Sequence, residues 1–183
     1  KLVALTDNSS TSFYIYKGDS MGYEYELLHA FAKKIGVQLE IIVAKDMDQI
    51  FDLLNKNEVD IIAANLTVTK ERLELVNFTE PLLYTRQVLI QRKPKGWEKM
   101  KRDDVDKLVV RNTLDLSGKK IHVRKGSSFY SRLISLSEEI GEKIEIIESP
   151  GENNTELLIN KVATGEIDYT IADENVAMIN QTY

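Results

Sequence analysis

Apolar and polar positions follow two regimes along this chain. Short runs dense in aliphatic and β-branched residues, LVALT at 2–6, VQLEIIV at 37–43 and VDIIAA at 59–64, alternate with longer stretches in which apolar residues recur every three or four positions. The first pattern predicts buried strands and the second amphipathic helices. One helix is expected over Tyr23–Ile35, with Leu27, Leu28, Phe31 and Ile35 as its apolar stripe and Gly36 as a left-handed stop. A second carries Met47, Ile50, Phe51 and Leu54 at i, i+3, i+4 and i+7. Between the first strand and the first helix, NSSTSFYIYKGDSMG predicts a long polar loop.

The second half repeats this order. Strand KIHVR around Ile121 is followed by the loop KGSS, a helix bearing Phe129, Leu133, Leu136 and Ile140, and Gly141. Strand KIEIIE, a helix over Leu157–Ala163 and strand IDYTIA complete the copy. Part of the match is literal: IGVQLEII (35–42) and IGEKIEII (140–147) agree at five of eight positions, 105 residues apart. NEVDIIAAN and GEIDYTIAD share Glu, Asp and Ala in register, 108 residues apart, which sets Asn65 opposite Asp173. The pattern fits an internal duplication, or two ordinary α/β units that coincide.

Helices alternating with buried strands predict an α/β fold of two lobes, each a small, mainly parallel βαβαβ sheet flanked by helices, with a cleft between them. The first lobe is expected at 1–88 and the second at 95–183. A hinge strand at 89–94 is expected within the extended run Leu82–Pro94. Ligands of such sheets gather beyond the carboxyl ends of the strands, which is where Asn65 and Asp173 fall.

Composition narrows the partners. A chain of 183 residues with 43% hydrophobic content can bury a core, as one domain or as two lobes. The formal charge of −5 argues against a nucleic-acid partner, which needs a basic face to displace counterions. No apolar run approaches the roughly 20 residues of a membrane span. The absence of cysteine removes disulfides and thiolate metal sites and suits either the cytoplasm or a periplasm-like compartment. The opening KLVALTDNSS has no Met and no leader-like run, so any signal peptide is expected to have been removed or never present.

Candidate chemistry collects at the expected strand ends. In NLTVTKERLELVNF, Thr69 is placed to cap a helix that holds Arg72 in its first turn, where the helix dipole disfavours a cation. Either Arg72 turns back, with Thr67 and nearby backbone N–H groups, to clamp a carboxylate, or it is a surface residue paired with Glu71 or Glu74. In RKGSSF, Ser127 and Ser128 offer hydroxyl and backbone donors to an anion, or serve as an ordinary N-cap. Asp173 could meet an ammonium or cap the helix that follows it. Phe13, Tyr14, Tyr16 and Tyr23 could wall a ligand or plug the core. His29 and His122 have no second ligand at metal spacing, and neither serine sits in a nucleophile setting with a His or Asp partner, so no cofactor is expected.

The stretches GYEYELLHAFAKKIGVQLEI, AANLTVTKERLELVNFTEPLLY, LSGKKIHVRKGSS and GEIDYTIAD resemble, over essentially the whole chain, the periplasmic solute-binding proteins of the amino-acid type, family 3. That resemblance implies a two-lobed type II periplasmic-binding-protein fold. It also implies a carboxylate-binding set at Asn65, Thr67 and Arg72, an anion loop at Ser127 and Ser128, an ammonium partner at Asp173, and a stacking aromatic at Phe13 or Tyr14. Within the family, GEIDYTIADENVAMINQTY is most similar to the regulatory module that precedes a lysozyme-like catalytic domain in F-type membrane-bound lytic murein transglycosylases. The expected function follows from this: binding of an amino acid or short cell-wall peptide, with regulation of an attached murein-cleaving domain. The expected location is periplasmic, with any outer-membrane association supplied by the parent protein. The resemblance also implies a return crossover to the first lobe that would lie past Tyr183. No catalytic residue is expected in this chain. The alternatives are an amino-acid receptor of a membrane transporter and, third, an enzyme on the same scaffold.

Overall fold

The computed structural model describes residues 1–44, 49–150 and 153–180. The chain divides into two units, Lys1–Leu83 and Tyr84–Tyr183.

In the first unit the chain runs through β1 (Leu2–Thr6), β2 (Tyr14–Tyr16), β3 (Asp19–Met21), α1 (Tyr23–Ile35), β4 (Leu39–Val43), α2 (Ile50–Asn55), β5 (Ile61–Ala63) and the single turn α3 (Lys70–Leu73). The main sheet has the order β4-β1-β5 and is parallel throughout. With neighbours on both sides, β1 is the most deeply covered strand: Ala4 and Leu5 are fully buried. Leu5 packs with Ile50 and Val59, and Phe51, Leu54 and Ile62 close around them. Met47, expected on the same helix as Ile50, lies outside the described residues.

Two expectations for this unit are corrected. The loop before α1 contains an antiparallel hairpin, in which Tyr14 pairs with Met21 and Tyr16 with Asp19. Its two-residue turn, Lys17 and Gly18, has positive φ at both positions (52° and 93°), a conformation that matches the right-handed twist of paired strands. The apolar stripe of α1 is also rotated. Of the four residues expected in it Leu28 is buried, together with Ala32 and Glu24, whereas Leu27, Phe31 and Ile35 are exposed. The periodicity of helix 23–35 is compatible with either stripe facing inward, and docking of the helix start decides between them. Thr11 O accepts from Glu24 N (3.3 Å) and Ser12 O from Tyr25 N (3.1 Å), so main-chain carbonyls satisfy two of the orphan N–H groups of α1. Gly22 makes this approach possible: it has φ 128°, and a Cβ there would lie 2.3 Å from Ser12 O.

The second unit contains β6 (Gln87–Gln91), a 3-10 turn at Trp97–Lys99, α4 (Arg102–Leu108), a second 3-10 turn at Thr113–Leu116, β7 (Lys120–Arg124), α5 (Ser128–Ile140), β8 (Glu145–Ser149), α6 (Thr155–Thr164), β9 (Tyr169–Asp173) and α7 (Glu174–Asn180). Its sheet has the order β6-β9-β7-β8. Strands β7, β8 and β9 are parallel, and β6 runs antiparallel to β9 from Gln87↔Asp173 to Gln91↔Tyr169. The units therefore divide at Leu83/Tyr84 and not at residue 88, because 87–91 is an edge strand of the second sheet.

Successive residues of β9 serve opposite faces. Ile171 joins Ile121, Val123, Phe129 and Leu133 in one cluster, while Ala172 joins Ile159 and Val176 in another. A strand covered on both faces is apolar at consecutive positions, Ile171 and Ala172, and the buried Thr170 before them satisfies its hydroxyl by donating to His122 O at 2.8 Å. The two units share one plan: βαβαβ, with the spatial orders β4-β1-β5 and β8-β7-β9, and first helices that end on left-handed glycines, Gly36 at φ 72° and Gly141 at φ 70°.

Candidate functional site

Phe13 and Tyr14 follow β1, and the other sequence-predicted residues lie in or beside the segments at the carboxyl ends of β5, β7 and β9. In the first unit, β5 ends at Ala63 and the chain turns at Asn65, which adopts the left-handed conformation with φ 49°. Asn tolerates that region better than most residues, since its short amide relieves the backbone locally. Thr69 then caps α3 as expected, its hydroxyl accepting from Arg72 N at 3.3 Å. The Arg72 side chain turns back along the loop. Its Nη1 donates to Thr67 O at 2.8 Å, and the guanidinium carbon lies 5.8 Å from the centre of the Phe51 ring. Burial pulls its pKa down, with Glu71 opposing the shift. Thr67 and Arg72 are thus joined in one loop, with the guanidinium half-buried over an aromatic face.

Phe13 and Tyr14 occupy the segment after β1. Phe13 meets Tyr25 edge to face, with ring centres 5.6 Å apart, and Tyr25 in turn stacks on His29. That contact accounts for Phe13 by packing within its own unit. Tyr14 opens the hairpin opposite Met21.

The same layout holds in the second unit. Beyond β7, Gly126 at φ 71° turns the chain into α5. Ser127 stands at the N-cap position but makes no side-chain cap; its hydroxyl donates instead to Arg124 O at 2.6 Å. Ser128 is the first residue of α5, and its carbonyl accepts from Ser131 Oγ at 3.3 Å. Asp173 closes the neighbouring strand β9. It is 8% exposed, burial raises its pKa above the ordinary 3.8, and among the described residues its carboxyl meets neither a hydrogen-bond donor nor a cation. It does not cap α7. A buried carboxyl without a counter-charge is costly to ionise, and such groups concentrate at binding sites.

Sequence reasoning missed a third acid. Glu24, in the first turn of α1, is buried, and its Oε1 accepts from Asn65 N at 2.6 Å. An acid in a first helical turn is ordinary, so the pattern GYEYE gave no sign of it. His122 lies in β7 with its pKa lowered by burial and by Lys161, with Asp168 opposing, and His29 stacks on Tyr25; among the described residues no His, Asp or Glu cluster could hold a metal.

The bacterial extracellular solute-binding proteins, family 3, have a family model that matches residues 2–135. This chain belongs to that family. Membrane-bound lytic murein transglycosylase F of Desulfosudis oleivorans is similar to the family 3 chain at 36% identity over its whole length. The protein of that name from Aliivibrio fischeri is 35% identical over 92% of the chain. The family 3 chain spans only 37% and 32% of the length of these two relatives. Among solved structures, an ancestral arginine-binding protein bound to arginine superposes with a TM-score of 0.77, at 24% identity, over 97% of this chain and 72% of that one. The matched model is a solute-binding one and not a catalytic transglycosylase domain, which agrees with the non-enzymatic expectation. No helix among the described residues is long and apolar enough to cross a membrane.

Proposed function

We propose that the chain is a binding and sensing module for an amino acid or a short cell-wall peptide, and that in a longer periplasmic protein it regulates a murein-cleaving domain. Asp173 carries this reading: a buried carboxyl that lacks a counter-charge in its own unit needs a cation from elsewhere, and a ligand ammonium supplies one. Arg72, held over Phe51 and tied to Thr67, complements it with a two-pronged donor for a carboxylate. Asn65, Ser127 and Ser128 add polar groups, and Phe13 or Tyr14 an aromatic wall. Opposite charges on separate units make closure depend on the ligand, because only a molecule bearing both groups satisfies both. Residues 84–86, between the division of the units and β6, would serve as the hinge.

The relatives favour regulation of an attached enzyme, since they share a transglycosylase name and extend well beyond the matched segment. Likeness to an arginine-binding protein favours the second reading, an amino-acid receptor of a membrane transporter. Calorimetry with free amino acids and with muropeptides tests the shared claim. Arg72→Ala and Asp173→Asn are expected to weaken binding at least about a hundredfold, the scale of losing a charge-paired contact. Wild-type affinity in both variants would sink the assignment. Stimulation of murein cleavage by a bound ligand in the longer protein would separate the two readings.

A further inference from the structure

Beneath the loop that carries Thr67 and Arg72 lies a polar cluster which the proposed site leaves unused. Glu24 Oε1 accepts the Asn65 N–H at 2.6 Å, but Oε2 is buried with no hydrogen-bond partner. The Ser12 hydroxyl, fully buried on the same side of α1, also has none. It lies near enough to ease a charge on Glu24 without forming a hydrogen bond of good geometry. Asp7, buried just past β1, is the charged group that acts on Glu24 among the described residues, and its effect is repulsive. Asn65, at the other end of the bond, is the residue in the loop with a left-handed backbone.

We infer that Glu24 is the positioning residue for the loop 65–72: it holds the left-handed turn at Asn65 from within the unit, and it does so as a neutral acid, which makes ligand binding by this loop proton-dependent. A neutral carboxyl suits every group present. Oε1 keeps the Asn65 N–H, and the proton on Oε2 can be donated to Ser12 Oγ, so two orphaned atoms satisfy one another. An ionised carboxyl leaves a charge out of water beside Asp7. Burial is the main cause that raises the Glu24 pKa above 4.5, with Asp7 adding to it and the nearby Ser12 hydroxyl and the Asn65 N–H opposing. Ionisation strengthens the Asn65 N–H bond itself, but it leaves a charge out of water beside Asp7 and places negative charge behind a set proposed to receive a ligand carboxylate. That charge lowers affinity as the pH rises through the titration of Glu24.

This inference rests on the proposed ligand site, so the experiment has two readouts on the same protein. Calorimetric affinity for the common L-amino acids, followed against pH, is compared for wild type, Glu24→Gln and Glu24→Ala. Glu24→Gln retains the acceptor and provides an N–H for Ser12. It is expected to bind at least as well as wild type while losing the fall in affinity on the alkaline side. Glu24→Ala is expected to bind about tenfold more weakly, the scale of one lost hydrogen bond. Amide hydrogen exchange at Asn65 reads the positioning role without any ligand: protection is expected in wild type and Glu24→Gln and is lost in Glu24→Ala. Absence of binding by wild type would remove the ligand-site reading, and the exchange pattern would then judge Glu24 alone. Unchanged Asn65 protection in Glu24→Ala, or a wild-type pH profile in Glu24→Gln, overturns the inference.

Discussion

At Asp173 the electrostatic sign can be worked out directly. Burial raises its pKa above 3.8, so in the ligand-free chain its contribution to stability is fully present below that ordinary value and is lost as the pH rises through the raised one. Denaturant titrations should show Asp173→Asn gaining stability over wild type between acidic and neutral pH. A ligand ammonium reverses the preference, because it favours the carboxylate and expels the proton. Affinity for an amino acid should therefore fall as the pH drops through the raised value, by up to about tenfold per pH unit, and this acid limb should vanish in Asp173→Asn. Calorimetry in two buffers of different ionisation enthalpy would register the released proton, and its absence would argue against an ammonium at this position. Asp173 stands out in the sequence because an acid closing an apolar run is anomalous on its face. Glu24 does not, since its peculiarity is its contact with Asn65, 41 positions away along the chain.

Among the elements, α1 shows where pattern alone stops. Its extent and its glycine stop were readable from 23–36, and Leu28 was rightly placed inward, but periodicity cannot tell whether Ala32 or Leu27, Phe31 and Ile35 accompany it. The rotation is set by Thr11, Ser12 and Gly22, none of which belongs to the apolar pattern. A comparison of two glycines follows. Gly36→Ala places a side chain at φ 72° with open space around it and should cost about 1–2 kcal/mol, the left-handed penalty. Gly22→Ala adds a main-chain clash to its φ of 128° and should cost clearly more, at least about 3 kcal/mol, as measured by chemical denaturation. Similar losses at the two positions would mean that the approach to Ser12 relaxes easily. The hairpin of β2 and β3 was missed because its turn, Lys17-Gly18, sits inside a stretch rich in polar and aromatic residues, where alternation over three positions per strand is too short to stand out. Strand β6 was recognised as extended, but its pairing with β9 is a non-local fact that no run of 87–91 contains.

For the molecule as a whole, two units that each bury apolar clusters of their own mean two separable responses to mutation. Leu5→Ala and Ile121→Ala each remove a fully buried aliphatic side chain, and each should cost about 2–5 kcal/mol. Hydrogen exchange should register the first loss within Lys1–Leu83 and the second within Tyr84–Tyr183, with little crossover. Loss of protection spread evenly over both would show that they unfold as one. The α/β class, the doubled plan and the strand ends were all legible because they follow from local periodicity and from the repeat IGVQLEII/IGEKIEII; the boundary between the units was not, because pairing decides it. The start of α1 has a consequence for which substitutions the molecule tolerates. Its first turn is held by the carbonyls of Thr11 and Ser12, which every residue type possesses, whereas the loop that presents them is tied by a side chain, that of Ser9, whose Oγ accepts from Ser12 N at 3.1 Å. Replacing Ser9 should therefore disturb the seat of the helix more than a change in its own first turn would suggest.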